Sequence, residues 1–209
     1  MFRFGIIGFP VAHSGSKALF RDWCAGKWEY DLIETPDFDE AWNIFVTGPY
    51  KAVNVTSPFK VHAAQRADIM APEVERTGAA NILVKTTDGI VAHNSDYLGL
   101  CKLLDEIGEG CRTVAVIGFG GAGRAALAAA EDAGLETALY RHDGICEGVG
   151  ADIIIYTLPS AVPGIDKLIC RHLVEANYKS PCLSDHENYI SGLRWLKLQA
   201  ETGYDLFFE

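Results

Sequence analysis

No two of the six cysteines form a C-x-x-C pair. Cys24, Cys101, Cys111, Cys146, Cys170 and Cys182 lie mostly inside apolar segments, as free core cysteines do. This spacing argues against a zinc site or a disulfide framework, and no bound metal is expected. The chain also lacks a run of about 18 apolar residues and a signal-peptide pattern. A cytoplasmic protein with no membrane partner is therefore expected. Cations are in deficit: 18 Lys and Arg stand against 28 Asp and Glu, a formal net charge of −10. Phosphate contacts need a basic face, so nucleic acid is excluded as a partner. There is no internal repeat and no low-complexity segment.

The 209 residues are 49% apolar and 22% charged, the balance of a globular chain with a real core. The length allows one large domain or two small ones. "FRFGIIGFP" opens with an apolar strand ending at Gly8. Residues 16–25 have helical spacing, "WEYDLIET" alternates like a strand, and "DFDEAWNIFV" reads as a helix with an acidic first turn. The strand "AVNVT" follows, then a helix after Pro58. "AANILVKTTDGIVAHNSD" reads as two strands joined at Asp88-Gly89, a favoured hairpin turn. From Ser95 the spacing of Tyr97, Leu98, Cys101, Leu104 and Ile107 is helical. A second unit begins near Arg112 with a β-branched strand, a glycine-rich turn and an alanine-rich helix closed by Gly134. "ETALYRHD" and "ADIIIYTLP" read as further strands. The tail reads as a helix with Leu193, Leu196 and Ala200 on one stripe, interrupted at Gly203. Strands and helices alternate, which predicts an α/β fold.

Two stretches carry chemistry. In "NVTSPFK", Pro58 keeps Ser57 out of the α region, so Ser57 reads as an N-cap with Lys60 in the first helical turn. The helix dipole disfavours a cation there. Gly118, Gly120 and Gly123 form G-x-G-x-x-G between a strand and a helix. The first glycine permits the turn, the second lets the backbone approach a pyrophosphate, and the third lets helix and strand pack closely. The phosphates would sit on the helix N-terminus. At the end of the next strand, Arg141 favours the 2′-phosphate of NADP, while Asp143 leaves NAD open; both also fit as solvated loop charges.

Polar groups recur at the ends of the first unit's elements, where open α/β sheets bind ligands: Ser14, Ser16, Asn54, Thr56, Asn81, Asn94 and Asp96. Each alone has a structural reading as a helix cap, a turn residue or a dipole complement. Together they resemble the shikimate dehydrogenase family. Its G-x-P-x-x-H-S-x-S is Gly8 to Ser16, including His13. Its N-V-T-x-P-x-K is Asn54 to Lys60, its G-A-x-N-T-L is Gly78 to Leu83, and its N-T-D-G-x-G is Asn94 to Gly99. The glycine motif G-x-G-G-A-x-R is Gly118 to Arg124, and Tyr178 to Pro181 and Gly192 to Ala200 match the last two motifs. The match is co-linear over nearly the whole chain.

The resemblance implies two α/β domains. The first is a substrate-binding domain over 1–98, to which a C-terminal helix at 188–209 returns. The second is a Rossmann-like NADP-binding domain over 99–187. It implies reversible reduction of 3-dehydroshikimate to shikimate by NADPH. Lys60 resembles the proton donor and Asp96 its partner. The helix dipole and partial burial would bring the lysine toward its working pH, whereas Asp96 would favour its charged form. Ser14 and Ser16, with Tyr178, would take the substrate carboxylate, and Thr56, Asn81 and Gln199 the other oxygens. Gly118, Gly120, Gly121, Ala122, Gly123, Arg124 and Arg141 would hold the cofactor. Departures are Lys17, Tyr97 and Tyr140, and the short 142–150 segment, which predicts that a helix–strand unit common in the family is absent. A quinate or aminoshikimate dehydrogenase stays open, as does a ligand-binding relative without turnover. Monomer and homodimer both stay open.

Overall fold

The computed structural model describes residues 2–12 and 14–208. The chain divides into two compact units, Met1–Ser95 with Ala200–Glu209, and Asp96–Gln199. In the first, chain order runs β1 (Arg3–Gly8), α1 (Ser16–Trp23), β2 (Tyr30–Glu34), α2 (Phe38–Thr47), β3 (Tyr50–Val55), α3 (Lys60–Arg66), β4 (Ile69–Met70), α4 (Pro72–Thr77), β5 (Ile82–Thr86) and β6 (Gly89–His93). These strands form one sheet in the order β2-β1-β3-β5-β6-β4. β1 is parallel to β2 and β3, and β5 is antiparallel to both β3 and β6.

The period of two along each strand sorts the side chains into two cores. Ile7, Val53, Val55 and Leu83 face α2, α3 and α4 through Phe45, Ala63 and Val74. Phe4, Ile6, Ala52, Ile82 and Val84 face α1 and the chain's C-terminal segment through Phe20, Tyr204 and Phe207. Phe4 is fully buried, stacked on Phe207 at 5.4 Å and tilted against Phe20 at 5.1 Å. Asp37 caps α2, its carboxylate accepting Asp39 N at 2.8 Å, which fixes the predicted acidic first turn.

The next elements are α5 (Ser95–Ile107), β7 (Thr113–Ile117), α6 (Gly121–Asp132), β8 (Glu136–Tyr140), β9 (Val149–Gly150), β10 (Ile153–Tyr156), β11 (Leu168–Ile169), β12 (His172–Glu175), β13 (Tyr189–Ser191) and α7 (Gly192–Leu206). The second unit's sheet is parallel, ordered β13-β12-β10-β7-β8. One face packs Val114, Val116, Ile153 and Ile155 against α5, α6 and α7. The other packs Ala115, Ile117, Ile154 and Tyr156 against Val149 of β9, Leu168 of β11 and the loop residues Ile145 and Leu183. No α-helix joins β8 to β10, β10 to β12 or β12 to β13. Among the described residues no helix is long and apolar enough to cross a membrane.

Several local expectations are corrected. The hairpin turn is Thr87–Asp88; Gly89 already pairs with Thr86 in the ladder, and its positive φ of 131° suits glycine. α7 is not interrupted at Gly203. A Cβ there would lie 2.8 Å from Ile82 Cδ1 and 2.9 Å from Ser95 Oγ, so glycine serves close packing rather than a break. The buried residues of α7 include Trp195, Leu198, Gln199, Ala200 and Tyr204, so Ala200 is buried as expected, whereas Leu193 is 47% exposed. Of the six free cysteines only Cys24 is buried, and Cys146 is exposed.

Phe4 joins strand, helix and C-terminal segment in one aromatic contact. Phe4→Ala should cost about 3–5 kcal/mol, the usual loss for a buried phenylalanine. Urea unfolding followed by circular dichroism should show this as a lowered midpoint.

Candidate active site

In the first unit, polar residues gather at one end of the sheet. β1 and β3 end there, and so does β6. The antiparallel β5 starts there, since Asn54 faces Ile82 and Ile82 faces His93. Ser14 and Ser16 follow β1, Thr56 follows β3, and Asn81 precedes β5. Ser14 Oγ donates to Ser16 Oγ at 3.1 Å and accepts Ser16 N at 3.3 Å. Thr56 N donates to Ile7 O at 2.9 Å. A Cβ on Gly8 would lie 2.3 Å from Thr56 Cγ2, so a glycine at the end of β1 lets the two loops meet. His13 lies outside the described residues.

α3 begins at Lys60, with Phe59 at the N-cap and no side-chain cap. Ser57 is therefore not the cap that the sequence suggests. Phe59 N donates to Thr56 O at 3.0 Å, and this turn occupies the residues around Pro58. Lys60 is half-buried in the first turn, and its carbonyl accepts Ala80 N at 2.8 Å, next to Asn81.

Asn81 has a structural task. Its side-chain oxygen accepts Ser95 N at 2.7 Å and its amide donates to Ser95 Oγ at 3.0 Å, so it fixes the start of α5. Asn94 is fully buried and donates to Thr77 Oγ1 and Ala79 O. Asn54 accepts the Tyr30 hydroxyl at 2.6 Å.

In the second unit, Asp96 is the second residue of α5, and its carbonyl accepts Trp195 Nε1 at 2.9 Å. A Cβ on Gly99 would lie 2.6 Å from Gln199 N, so α7 approaches α5 one turn beyond Asp96. Gln199 is nearly buried and donates to Leu196 O at 3.1 Å. Tyr178, half-buried, follows β12. The loop carrying it is tied back by Glu175, a fully buried carboxylate accepting Cys182 N at 2.8 Å, Leu183 N at 3.2 Å and the Cys182 thiol. Burial, with the Glu175 carboxylate, pushes that thiol up to about 11.

The glycine turn lies after β7, where the strand order reverses direction, the usual ligand position of an open parallel sheet. Gly118 has φ +100°. A Cβ on Gly123 would sit 2.1 Å from Gly118 O, and nothing lies within 4 Å of a Cβ on Gly120. The first glycine thus makes the turn, the third permits helix–strand contact, and the second leaves room for a ligand. The first helical bond runs from Arg124 N to Gly120 O at 2.9 Å. The amides of Gly121, Ala122 and Gly123 precede it in the first turn of α6, where helix amides face an anion. The Arg124 guanidinium lies over Phe119, 4.7 Å from the ring centre. Arg141 follows β8, exposed, in a turn closed by Gly144 N on its carbonyl at 2.9 Å, and Asp143 is exposed beside it. This set fits a dinucleotide.

Residues 6–83 match the shikimate dehydrogenase substrate binding domain family. The chain is a relative of the shikimate dehydrogenases. It is 40% identical over 134 residues to the NADP(+) shikimate dehydrogenase of Chromohalobacter salexigens, a match covering 60% of this chain and 49% of that protein. With the Gluconobacter oxydans enzyme it shares 30% over 179 residues, covering 79% and 64%. The chain therefore spans about half to two thirds of the length of these curated relatives. The Thermus thermophilus shikimate 5-dehydrogenase, solved in complex with NADP(H) and shikimate, superposes with a TM-score of 0.81 at 23% identity, covering 99% of this chain and 93% of that one. Shikimate dehydrogenase 1 of Peptoclostridium difficile gives 0.84 at 23%, covering 100% and 92%. The two-domain α/β fold of shikimate dehydrogenases is the fold of this chain.

Sequence reasoning missed the residues that hold the shikimate dehydrogenase motifs in place. Glu34 accepts Val11 N at 2.9 Å and Ala12 N at 2.7 Å, fixing the loop before Ser14. The signal was the β1–β2 register, which sets Glu34 beside Gly8. Tyr204 donates to Ser16 O at 3.1 Å. Glu73 accepts Asn94 N at 3.3 Å and lies 3.1 Å from His93 Nδ1. Burial raises the Glu73 carboxyl, but hydrogen bonds from His93 and the amides of Glu73 and Asn94 outweigh it and hold the group below its ordinary range. A depressed carboxyl adds stability that is present above the unfolded value, near pH 4.3, and is lost as pH falls through the folded one. Wild-type stability should therefore drop on acidification in that window. Glu73→Gln should be less stable at neutral pH and show a flatter acid limb in urea titrations across the pH range.

Proposed function

We propose that this chain catalyses the reversible, NADPH-dependent reduction of 3-dehydroshikimate to shikimate. The observation that carries the reading is the gathering of Ser14, Ser16, Thr56, Lys60 and Asn81 at one sheet end, inside the segment that matches the substrate-binding family. The glycine turn supports the cofactor half.

When bound, NADPH supplies a hydride to the ring carbonyl carbon. Lys60 delivers the proton to the oxygen that becomes the new hydroxyl, and Asp96 orients the lysine and a ring hydroxyl. Ser14 and Ser16, with Tyr178, take the carboxylate. Thr56, Asn81 and Gln199 bind the remaining oxygens and fix which face of the ring is presented. Asn81 does this while holding Ser95. Gly118, Gly120, Gly121, Ala122, Gly123 and Arg124 carry the pyrophosphate, and Arg141 carries the 2′-phosphate.

Steady-state assays with NADPH and 3-dehydroshikimate, run beside NADH and quinate, test the reading. Turnover only with quinate would assign a quinate enzyme, and none with any pair would leave a ligand-binding relative. Lys60→Ala should lower kcat by roughly 10²–10⁴ with a smaller change in KM. Asp96→Asn should also lower kcat, and the double variant should be little worse than the worse single one, because groups acting as a unit are not additive. A normal kcat with raised KM in Lys60→Ala would remove the lysine as proton donor.

Arg141→Ala should weaken NADP binding and leave NAD binding nearly unchanged in calorimetric titrations. Equal loss of both would make Arg141 structural and Asp143 the group to test.

A further inference from the structure

β12 ends at Glu175, beside Tyr156 at the end of β10. The chain then runs through Asn177 to Tyr178. Asn177 uses every hydrogen-bonding position of its side chain. Its amide nitrogen donates to Pro159 O and to Ser180 O, both at 2.9 Å. Its amide oxygen accepts Lys179 N at 3.3 Å and Ser180 N at 3.2 Å. Two donors and two lone pairs are all that a carboxamide offers. The partners fix its orientation. Turned over, its nitrogen would face two N–H groups and its oxygen two carbonyls. Three of the four bonds close a turn around Tyr178, and the fourth reaches the segment after β10. That segment is itself pinned. Thr157 N and Thr157 Oγ1 donate to Ile117 O at 2.8 and 3.0 Å, and the Tyr156 hydroxyl donates to Ser160 O at 2.6 Å. Pro159 O is thus a fixed anchor. Glu175 holds the far end of the same loop through Cys182 N and Leu183 N.

We propose that Asn177 is a positioning residue for Tyr178: its carboxamide ties the tyrosine's main chain to the loop after β10 and so sets the affinity for the substrate carboxylate. This rests on the reading of Tyr178 as a ligand of that carboxylate. All four positions of the Asn177 carboxamide are engaged by main-chain groups. It has no bond left for a ligand and acts only through its neighbour. A tyrosine meets its ligand at the far end of a long side chain. A small rotation of its backbone therefore carries the hydroxyl out of hydrogen-bond range.

Steady-state kinetics with 3-dehydroshikimate and NADPH test this. Asn177→Ala should raise KM for 3-dehydroshikimate about tenfold, the scale of one or two hydrogen bonds, with kcat and the KM for NADPH within about twofold of wild type. Asn177→Asp keeps an oxygen for Lys179 N and Ser180 N but turns a second one on the Pro159 and Ser180 carbonyls. It should match Asn177→Ala with an unchanged circular dichroism spectrum, which keeps the test open if the alanine variant fails to fold. Tyr178→Phe should raise the same KM. In that background Asn177→Ala should add little, because groups acting as a unit are not additive. An unchanged KM in a folded Asn177 variant, or an effect that adds in full to that of Tyr178→Phe, overturns the proposal. A wild type without turnover, or a normal KM in Tyr178→Phe, overturns instead the reading beneath it, and the proposal with it.

Discussion

A buried amide at position 81 decides where the first sheet hands the chain on. The main-chain amide of Asn81 donates to His93 O, its carbonyl accepts Val55 N, and its side chain accepts Ser95 N and donates to Ser95 Oγ. Three strand ends and a helix start meet on this one residue. A buried polar group that lost these partners would cost about 1–3 kcal/mol for each one unmatched. Everything placed at that sheet end, from Thr56 to Lys60, takes its position from loops anchored within a residue or two of this hub. Glu34 and Glu73 do the same work on either flank by accepting main-chain amides of the neighbouring segments.

The second unit achieves a covered parallel sheet with fewer helices than such sheets ordinarily use. Three helices cover one face. On the other, Ile145 and Leu183 from loops, and Val149 and Leu168 from the short β9–β11 pair, reach the strands. Loop carbonyls and amides need partners of their own. Tyr156 accordingly donates its hydroxyl to Ser160 O at 2.6 Å, and Asp152 accepts Arg112 N and Thr113 N. Side chains thus do bonding that a crossover helix would do internally. The same economy leaves β8 at the margin of the sheet.

Much of this was legible in the sequence because periodicity and glycine chemistry are local. The strand "FRFGII", the acid-capped helix after Asp37 and the glycine turn all follow from near neighbours. What was misread depended on distant partners. Gly203 reads as a helix breaker until Ser95 and Ile82 are found against it. Leu193 reads as core, but the tail's buried stripe is set by Trp195, whose ring nitrogen reaches Asp96 O across 99 positions. Ser57 reads as a cap because the turn from Thr56 to Phe59 is invisible to a preference table. The polar residues of the candidate site were found through motif order. The acids supporting them carried no motif and sit in strands and helices with ordinary alternation.

The clasp on the Tyr178 loop carries a chemical consequence. The Cys182 sulfur sits 3.2 Å from Glu175, and its proton is held there well above the range in which thiols ionise in water. Thiolate is the form that reacts with disulfides, peroxides and alkylating reagents. While the loop is seated, the sulfur is thus chemically quiet. Reaction there first requires the thiol to give up its contact with the carboxylate, so the acid that ties back the Tyr178 loop also shields the loop's cysteine.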